Sequence, residues 1–389
     1  MAFYNQQVAK LASNTGKQQL EEVITNDDTQ ISWSEGFKSK LKQRKNFTFA
    51  KVRIRPCLYR PFTRLNLYYD NDIVERPSQF KITFPTQQCE ENRIIGTNGV
   101  GSEKPFTPYA ANGLVDLAFL AGGTSFQCFP FYTYDEDGSN RRENITDWAL
   151  AEFRSKLSPP RGSGVSPEGR DASGKGIPSQ LKSGKMPDPR GKDSSFIPQP
   201  SSLPSGPRAS RLIDKWSIFY YVYGLLHHPE YRTKYAANLR RELPRIPIVQ
   251  DAATFWKFSD AGKQLAELHV NYEEQKEFRL EEFWTMGAPL DLKVEKMKLT
   301  KDKTGIVYNN VLTLRGIPPE AFDYKLGNRS AIDWIIDQYQ VSTDKRSNIT
   351  NNPNRVDDEH YIIRLIKQIV TVSLETVRIV GEVGKLKLD

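Results

Sequence analysis

Between Ser158 and Arg208 the chain carries little that a folded core could use. Of those 51 residues, 10 are Pro, 8 are Gly and 11 are Ser, and apolar side chains are sparse. With so little apolar surface to bury, nothing offsets the entropy of ordering the backbone. The segment is expected to be a disordered or poorly ordered insert. The rest of the 389-residue chain must fold from what lies on either side. The expected division is an N-terminal arm and helix over 1–45, a β-rich lobe over 46–157, the insert over 158–210 and a helix-rich lobe over 211–389.

Before the insert, apolar residues recur with a period of two. Val52 and Ile54 alternate with Lys51, Arg53 and Arg55, which predicts a half-buried strand with a basic outer face. The same alternation predicts strands over 65–69 and 80–84. Glycines at 96, 99 and 101 mark a turn region, and Thr146 is placed to cap a short helix reaching Phe153. After the insert the period lengthens. Helices are predicted over 214–226 and 254–269. His228-Pro229 fits an N-cap followed by proline at the first helical position, opening a helix to about Arg241. Two strands over 293–299 and 306–314 are joined by Lys-Asp-Lys-Thr-Gly. Ser330-Ala-Ile-Asp333 is a capping-box pattern, and a long amphipathic helix runs from Asp357 to Val380. No internal repeat is visible. The fold class expected is α+β.

Hydrophobic residues make up 38% and aromatics 11% of the chain, enough for a packed core. The longest apolar run, Ile218–Leu226, is too short to span a bilayer. No basic-then-apolar leader pattern opens the sequence, so a cytoplasmic location is expected. Cys57, Cys89 and Cys128 have no metal or disulfide spacing. Gly16-Lys17 lacks the rest of a P-loop, and Gly99-Val-Gly101-Ser-Glu-Lys104 lacks the third glycine of a dinucleotide fingerprint. There is no GxSxG elbow and no HExxH. Cys128 has no histidine nearby in sequence, and His227-His228 reads as capping and packing. Catalysis by this chain alone is not expected, and neither is a bound metal or cofactor.

Lys+Arg exceeds Asp+Glu by 55 to 47, a formal charge of +8, which permits a polyanionic partner. Specific reading of DNA needs cations for phosphates and planar donors for base edges. The first candidate face is Lys51, Arg53 and Arg55 continuing into Tyr59, Arg60 and Arg64; a solvated outer sheet face is the competing reading. Second is the polar segment with Lys345, Arg346, Asn348, Asn351 and Asn354, which also fits an Asx-turn loop. Arg141 and Arg142 could meet DNA or pair with Asp135-Glu-Asp137. Arg232, Lys234, Arg240, Arg241 and Arg245 crowd a helix and its end, where cations also complement the helix dipole. Lys301 and Lys303 occupy a hairpin tip.

Several phrases are distinctive in their order. They include Leu58-Tyr-Arg-Pro-Phe62, Gln127-Cys-Phe-Pro-Phe-Tyr132, Asn144-Ile-Thr-Asp-Trp148 and Ile218-Phe-Tyr-Tyr-Val-Tyr-Gly224. His228-Pro-Glu-Tyr-Arg232, Leu268-His-Val-Asn-Tyr272, Arg329-Ser-Ala-Ile-Asp-Trp334 and Asp344-Lys-Arg-Ser-Asn-Ile-Thr-Asn-Asn-Pro-Asn354 follow. Together they resemble the C-terminal specificity domain of Type ISP restriction–modification enzymes, over roughly residues 46–157 and 211–385. The resemblance implies a two-lobed target-recognition domain that reads a short asymmetric sequence in double-stranded DNA. Such a domain would direct adenine methylation and cleavage by nuclease, helicase-like and methyltransferase parts not present in this chain; the alternative is a protein-docking or non-specific nucleic-acid-binding domain of a defence complex. The resemblance further implies that S-adenosylmethionine, ATP and magnesium belong to those parts, and that a methyltransferase, helicase or nuclease subunit is a possible partner. The sequence departs from the family in its long insert, and in having Asn348 and Asn352 where the family tends to Gly and Asp.

Overall fold

The structure, a computed structural model, describes residues 1–13, 19–75, 78–86, 92–121, 125–158 and 211–388. The expected insert lies outside the described residues beyond Ser158, as does Cys89. Helices and sheets are mixed along the chain, an α+β fold.

The helix Lys215–Leu226 is apolar on nearly every side and buries Ile218, Phe219, Tyr221, Tyr223, Leu225 and Leu226. An all-round apolar helix can only be stable when covered on all faces. A reciprocal capping box between Asp214 and Ser217 starts it. The helix Ala252–Val270, capped by Asp251, crosses it at very close range. A Cβ on Gly262 would stand 1.9 Å from the Tyr220 carbonyl oxygen, and one on Gly224 would stand 2.3 Å from that of Phe258. Only glycine at both positions lets the two backbones touch. The helix Tyr361–Val383 then closes the structure.

Two large hydrophobic clusters result, and each takes residues from both sides of the insert. In the first, Leu58, Phe62 and Leu114 pack with Ile306, Leu314, Trp334, Ile362 and Ile369. In the second, Ile95, Phe131 and Phe153 pack with Phe219, Phe255, Leu265, Ile379 and Val383. The closing helix thus serves both. A third, small cluster joins Tyr4, Val8 and Leu11 of the first helix to Leu41 and Phe47. The sheets are small. Ile54–Arg60 lies between antiparallel Thr63–Tyr68 and parallel Leu114–Val115, and Ile94–Asn98 lies between Tyr109–Ala111 and Phe126–Pro130. A four-stranded sheet follows in the order Lys298–Leu299, Gly305–Val307, Leu312–Arg315, Glu281–Trp284.

Three local expectations are corrected. Lys51–Arg53 is a 3-10 turn, and the strand begins only at Ile54. The turn shifts the alternation, so Val52 is 71% exposed and Arg55 only 4%. Phe80–Thr83 is a helical turn, not a strand; Phe80 and Phe84 stand four apart and their rings meet at 5.9 Å. The helix opened by His228 breaks at Tyr235 into Pro229–Lys234 and Ala236–Arg241. The expected caps at Thr146, His228 and Ser330 are all in place.

Where the two large clusters meet, a chain of buried polar groups runs between elements. The Ala110 amide donates to the Tyr223 hydroxyl at 2.9 Å, leaving that hydroxyl's proton for His269 Nδ1 at 2.6 Å. His269 Nε2 meets the Thr376 hydroxyl at 3.0 Å, and the Tyr109 hydroxyl donates to the His269 carbonyl at 3.0 Å. His227 lies beside it, its Nδ1 donating to the Tyr223 carbonyl at 2.9 Å. Burial holds the His227 imidazole down to about 3. His269 is held well below the ordinary histidine range, by burial first and then by His227.

Two predictions follow from this packing. Gly262→Ala should lower the urea midpoint, with a cost of roughly 1–3 kcal/mol or more, because a backbone carbonyl must move. An unchanged midpoint would mean that the helices are not in contact there. Acid should also weaken the fold. A histidine held neutral when folded but titrating near 6.5 when unfolded stabilises the fold above that pH and progressively less below it. His227, held down to about 3, is expected to cost about 2 kcal/mol between pH 7 and pH 5, with His269 acting in the same direction, read from urea midpoints across that range.

Candidate nucleic-acid interface

The first basic face is largely committed to the protein itself. The Arg55 guanidinium donates to the carbonyls of Phe84 at 2.6 Å and Thr86 at 3.1 Å and stacks on Tyr69. It is buried, so a duplex cannot reach it, which corrects its expected place on an outer face. Arg60 stacks on the ring of Tyr59 at 3.9 Å and pairs with Asp116 at 2.9 Å. Arg64 pairs with Glu273 at 2.9 Å, donates to the Val270 carbonyl and lies over Tyr272. These contacts stitch the first sheet to the region after the insert. Arg53 is half exposed and pairs with Asp70, while Lys51 is exposed. Arg142 pairs with Asp135 at 2.8 Å, and Arg141 stacks on Tyr132 at 4.6 Å.

The segment after residue 341 is different. Ser342–Thr343 and Thr350–Asn351 pair as a short antiparallel hairpin, with the Thr343 and Thr350 hydroxyls 2.9 Å apart. The Asp344 carboxylate accepts from the Arg346 and Ser347 amides and from the Ser347 hydroxyl. Those three bonds hold it below the usual carboxylate range and rigidify the tip. Asn348 has φ 54°, the left-handed region that glycine favours and asparagine tolerates. Asn354 does not face outward. Its amide brackets Val294, accepting from the amide N–H and donating to the carbonyl, both at 2.8 Å. It anchors the hairpin rather than extending it. That leaves Lys345, Arg346, Asn348 and Asn351 exposed on a fixed scaffold, with no side-chain hydrogen bond or ion pair among the described residues.

Near the break at Tyr235 the cations diverge. Arg245 pairs with Glu242 at 2.9 Å, and Lys234 lies over Tyr235. Arg240 and Arg241 are exposed with no side-chain partner among the described residues. Arg232 turns inward and donates to the Phe106 carbonyl at 2.6 Å. The structure brings Lys104 to this region, which sequence spacing did not signal. Lys301 and Lys303 are exposed at their hairpin tip.

Little here resembles a reaction centre. Burial pushes the Cys128 thiol up to about 12, and burial followed by Asp116 does the same to Cys57, so neither is a ready thiolate at neutral pH. His228 caps a helix through the Tyr231 amide. Among the described residues no group of three or more His, Cys, Asp or Glu side chains could hold a metal. No helix among them is long and apolar enough to cross a membrane.

The family model for the Type ISP C-terminal specificity domain matches residues 2–367, and the chain belongs to that family. Three solved structures are similar. A nuclease-deletion mutant of the Type ISP restriction–modification enzyme LlaGI, in complex with a DNA substrate mimic, shares 29% identity at a TM-score of 0.75. That match covers 100% of this chain and 30% of the other. The ATP-dependent Type ISP enzyme LlaBIII bound to DNA shares 26% at 0.74, over 100% of this chain and 21% of the other. A DrdV–DNA complex shares 29% at 0.73, over 97% and 32%. This chain therefore spans less than a third of the length of each. No curated protein sequence matches it.

Arg55 and Arg346 should respond oppositely to truncation. Arg55→Ala removes the guanidinium that donates to the buried Phe84 carbonyl and should cost roughly 1–3 kcal/mol of stability. Arg346→Ala should stay within about 0.5 kcal/mol. Denaturant melts of the two variants check both.

Proposed function

We propose that this chain is the target-recognition module of a Type ISP-like restriction–modification system. It reads a short asymmetric sequence in double-stranded DNA and thereby directs adenine methylation, or cleavage, by catalytic parts elsewhere. The observation that supports this most is the likeness over essentially the whole chain to three solved structures, two of them Type ISP enzymes, that hold DNA or a DNA substrate mimic. The exposed hairpin adds a physical reason. Arg346 offers the planar fork that suits guanine, and Asn348 and Asn351 offer the paired donor and acceptor that suit adenine. Arg240, Arg241 and Lys345 supply charge for phosphates. S-adenosylmethionine, ATP and magnesium serve the catalytic parts. The setting is the cytoplasm, in defence against incoming phage DNA.

Binding selection on a randomised duplex library at two salt concentrations tests the reading. A defined asymmetric motif that survives the higher salt is expected. Contact with about 6–10 phosphates should weaken affinity by roughly 10³–10⁵ between about 50 and 200 mM salt. Retention without a motif would remove target recognition. Arg346→Ala should relax discrimination at one position by about 1–3 kcal/mol if it reads a base. If it meets a phosphate, it should lower the salt slope by about one. A variant unchanged in both respects would take the hairpin out of the interface.

A further inference from the structure

A groove of about 510 Å³ opens beside the helix break at Tyr235. Lys104, Arg232 and Arg240 line it, together with Asn98, Phe106 and Pro229. Among the described residues, no carboxylate does. The two carboxylates nearest in sequence, Glu103 and Glu230, are exposed and stand outside the lining. The remaining titratable group, His227, is buried and held neutral near pH 7.

The three cations pair with no carboxylate among the described residues. Arg53, Arg60, Arg64, Arg93, Arg211 and Arg329 all pair with carboxylates. Among the described residues, Arg232 donates only to the Phe106 carbonyl, and burial pulls its guanidinium below the usual range. Lys104 donates there only to the carbonyls of Leu120 and Ala121. Burial lowers its ammonium pKa, and Arg329 and Arg60 lower it further. The Arg240 side chain makes no bond among the described residues, while its own carbonyl accepts from the Gly101 amide at 2.7 Å. That bond fixes the loop bearing Lys104 against the helix bearing Arg240. Asn98 tightens the same loop, donating to the Lys104 carbonyl at 3.1 Å and accepting from Thr107 at 2.8 Å. Half-buried cations without a counter-charge cost stability, and such a site favours an anion that supplies one.

We propose that the Lys104–Arg232–Arg240 groove seats a backbone phosphate of the bound duplex. This rests on the reading of the chain as a DNA-recognition module. The exposed Arg241 beside Arg240 extends the positive charge out of the groove, which suits a continuing polyanion better than a single small one. A phosphate carries no sequence information, so the groove sets register while the hairpin reads bases.

The test measures binding of the full chain to a random-sequence duplex across about 50–200 mM salt, for wild type, Arg240→Ala and Arg232→Gln, and repeats the selection with each variant. Each variant should lower the log–log salt slope by about one, and so lose about 3–4-fold less affinity across that interval. The selected motif should stay unchanged. Arg240 has no structural bond through its side chain, so Arg240→Ala carries the test even where Arg232→Gln impairs folding. Wild-type binding with a motif, and an unchanged slope in Arg240→Ala, would overturn the groove and leave target recognition standing. Wild-type binding without a motif, with the slope reduced in the variants, would do the reverse. No binding by wild type would remove both. ATP bound by wild type but not by Arg232→Gln, with DNA affinity unchanged, would make this a nucleotide site and overturn the assignment.

Discussion

The buried polar chain through Tyr223, His269 and Thr376 ties together three helices and a strand where the two large cores meet. Each of these groups lies in an apolar surrounding, where an unpartnered hydroxyl or imidazole is costly. Each is satisfied only if the other elements are in register. Apolar packing tolerates small slips; a sequence of hydrogen bonds from the Ala110 amide to Thr376 does not. The close crossing at Gly224 and Gly262 sets the same helices against each other from a neighbouring turn.

Signals confined to a few neighbouring residues were legible in the sequence. Ser330 with Asp333, Thr146 before its helix, and His228 before Pro229 carry their capping chemistry within one turn. Signals that depend on distant partners were not. The alternation from Lys51 to Arg55 fits a strand, but Arg55 is buried because carbonyls of Phe84 and Thr86 receive its guanidinium. Phe80 and Phe84 satisfy both a period of two and a spacing of four, and only packing decides between them. Asn354 looks like its neighbours Asn348 and Asn351, yet its amide is consumed by Val294. The Asp344–Asn354 segment was legible as a candidate site; which of its asparagines face outward was not. The approach of Lys104 to Arg232 joins residues on opposite sides of the insert and leaves no trace in local spacing.

The excess of positive charge is distributed with a pattern. Arginines of the first strand region face carboxylates and carbonyls and hold the structure together. Arg240, Arg241, Lys345 and Arg346, whose side chains make no hydrogen bond or ion pair among the described residues, lie around the break at Tyr235 and on the hairpin tip. A uniform basic surface would attract any polyanion equally. On the proposed reading, unpaired cations at the hairpin and the Tyr235 break would fix how a duplex lies and leave planar side chains to discriminate among sequences.

The closing helix has a consequence for how the protein is made. Residues 361–383 complete both large cores, yet strands such as Ile54–Arg60 leave the ribosome long before them. Until that helix emerges, one core lacks Ile362 and Ile369 and the other lacks Ile379 and Val383. The partly synthesised chain therefore displays unfinished hydrophobic faces, of the kind that holding chaperones grip and that aggregate in their absence.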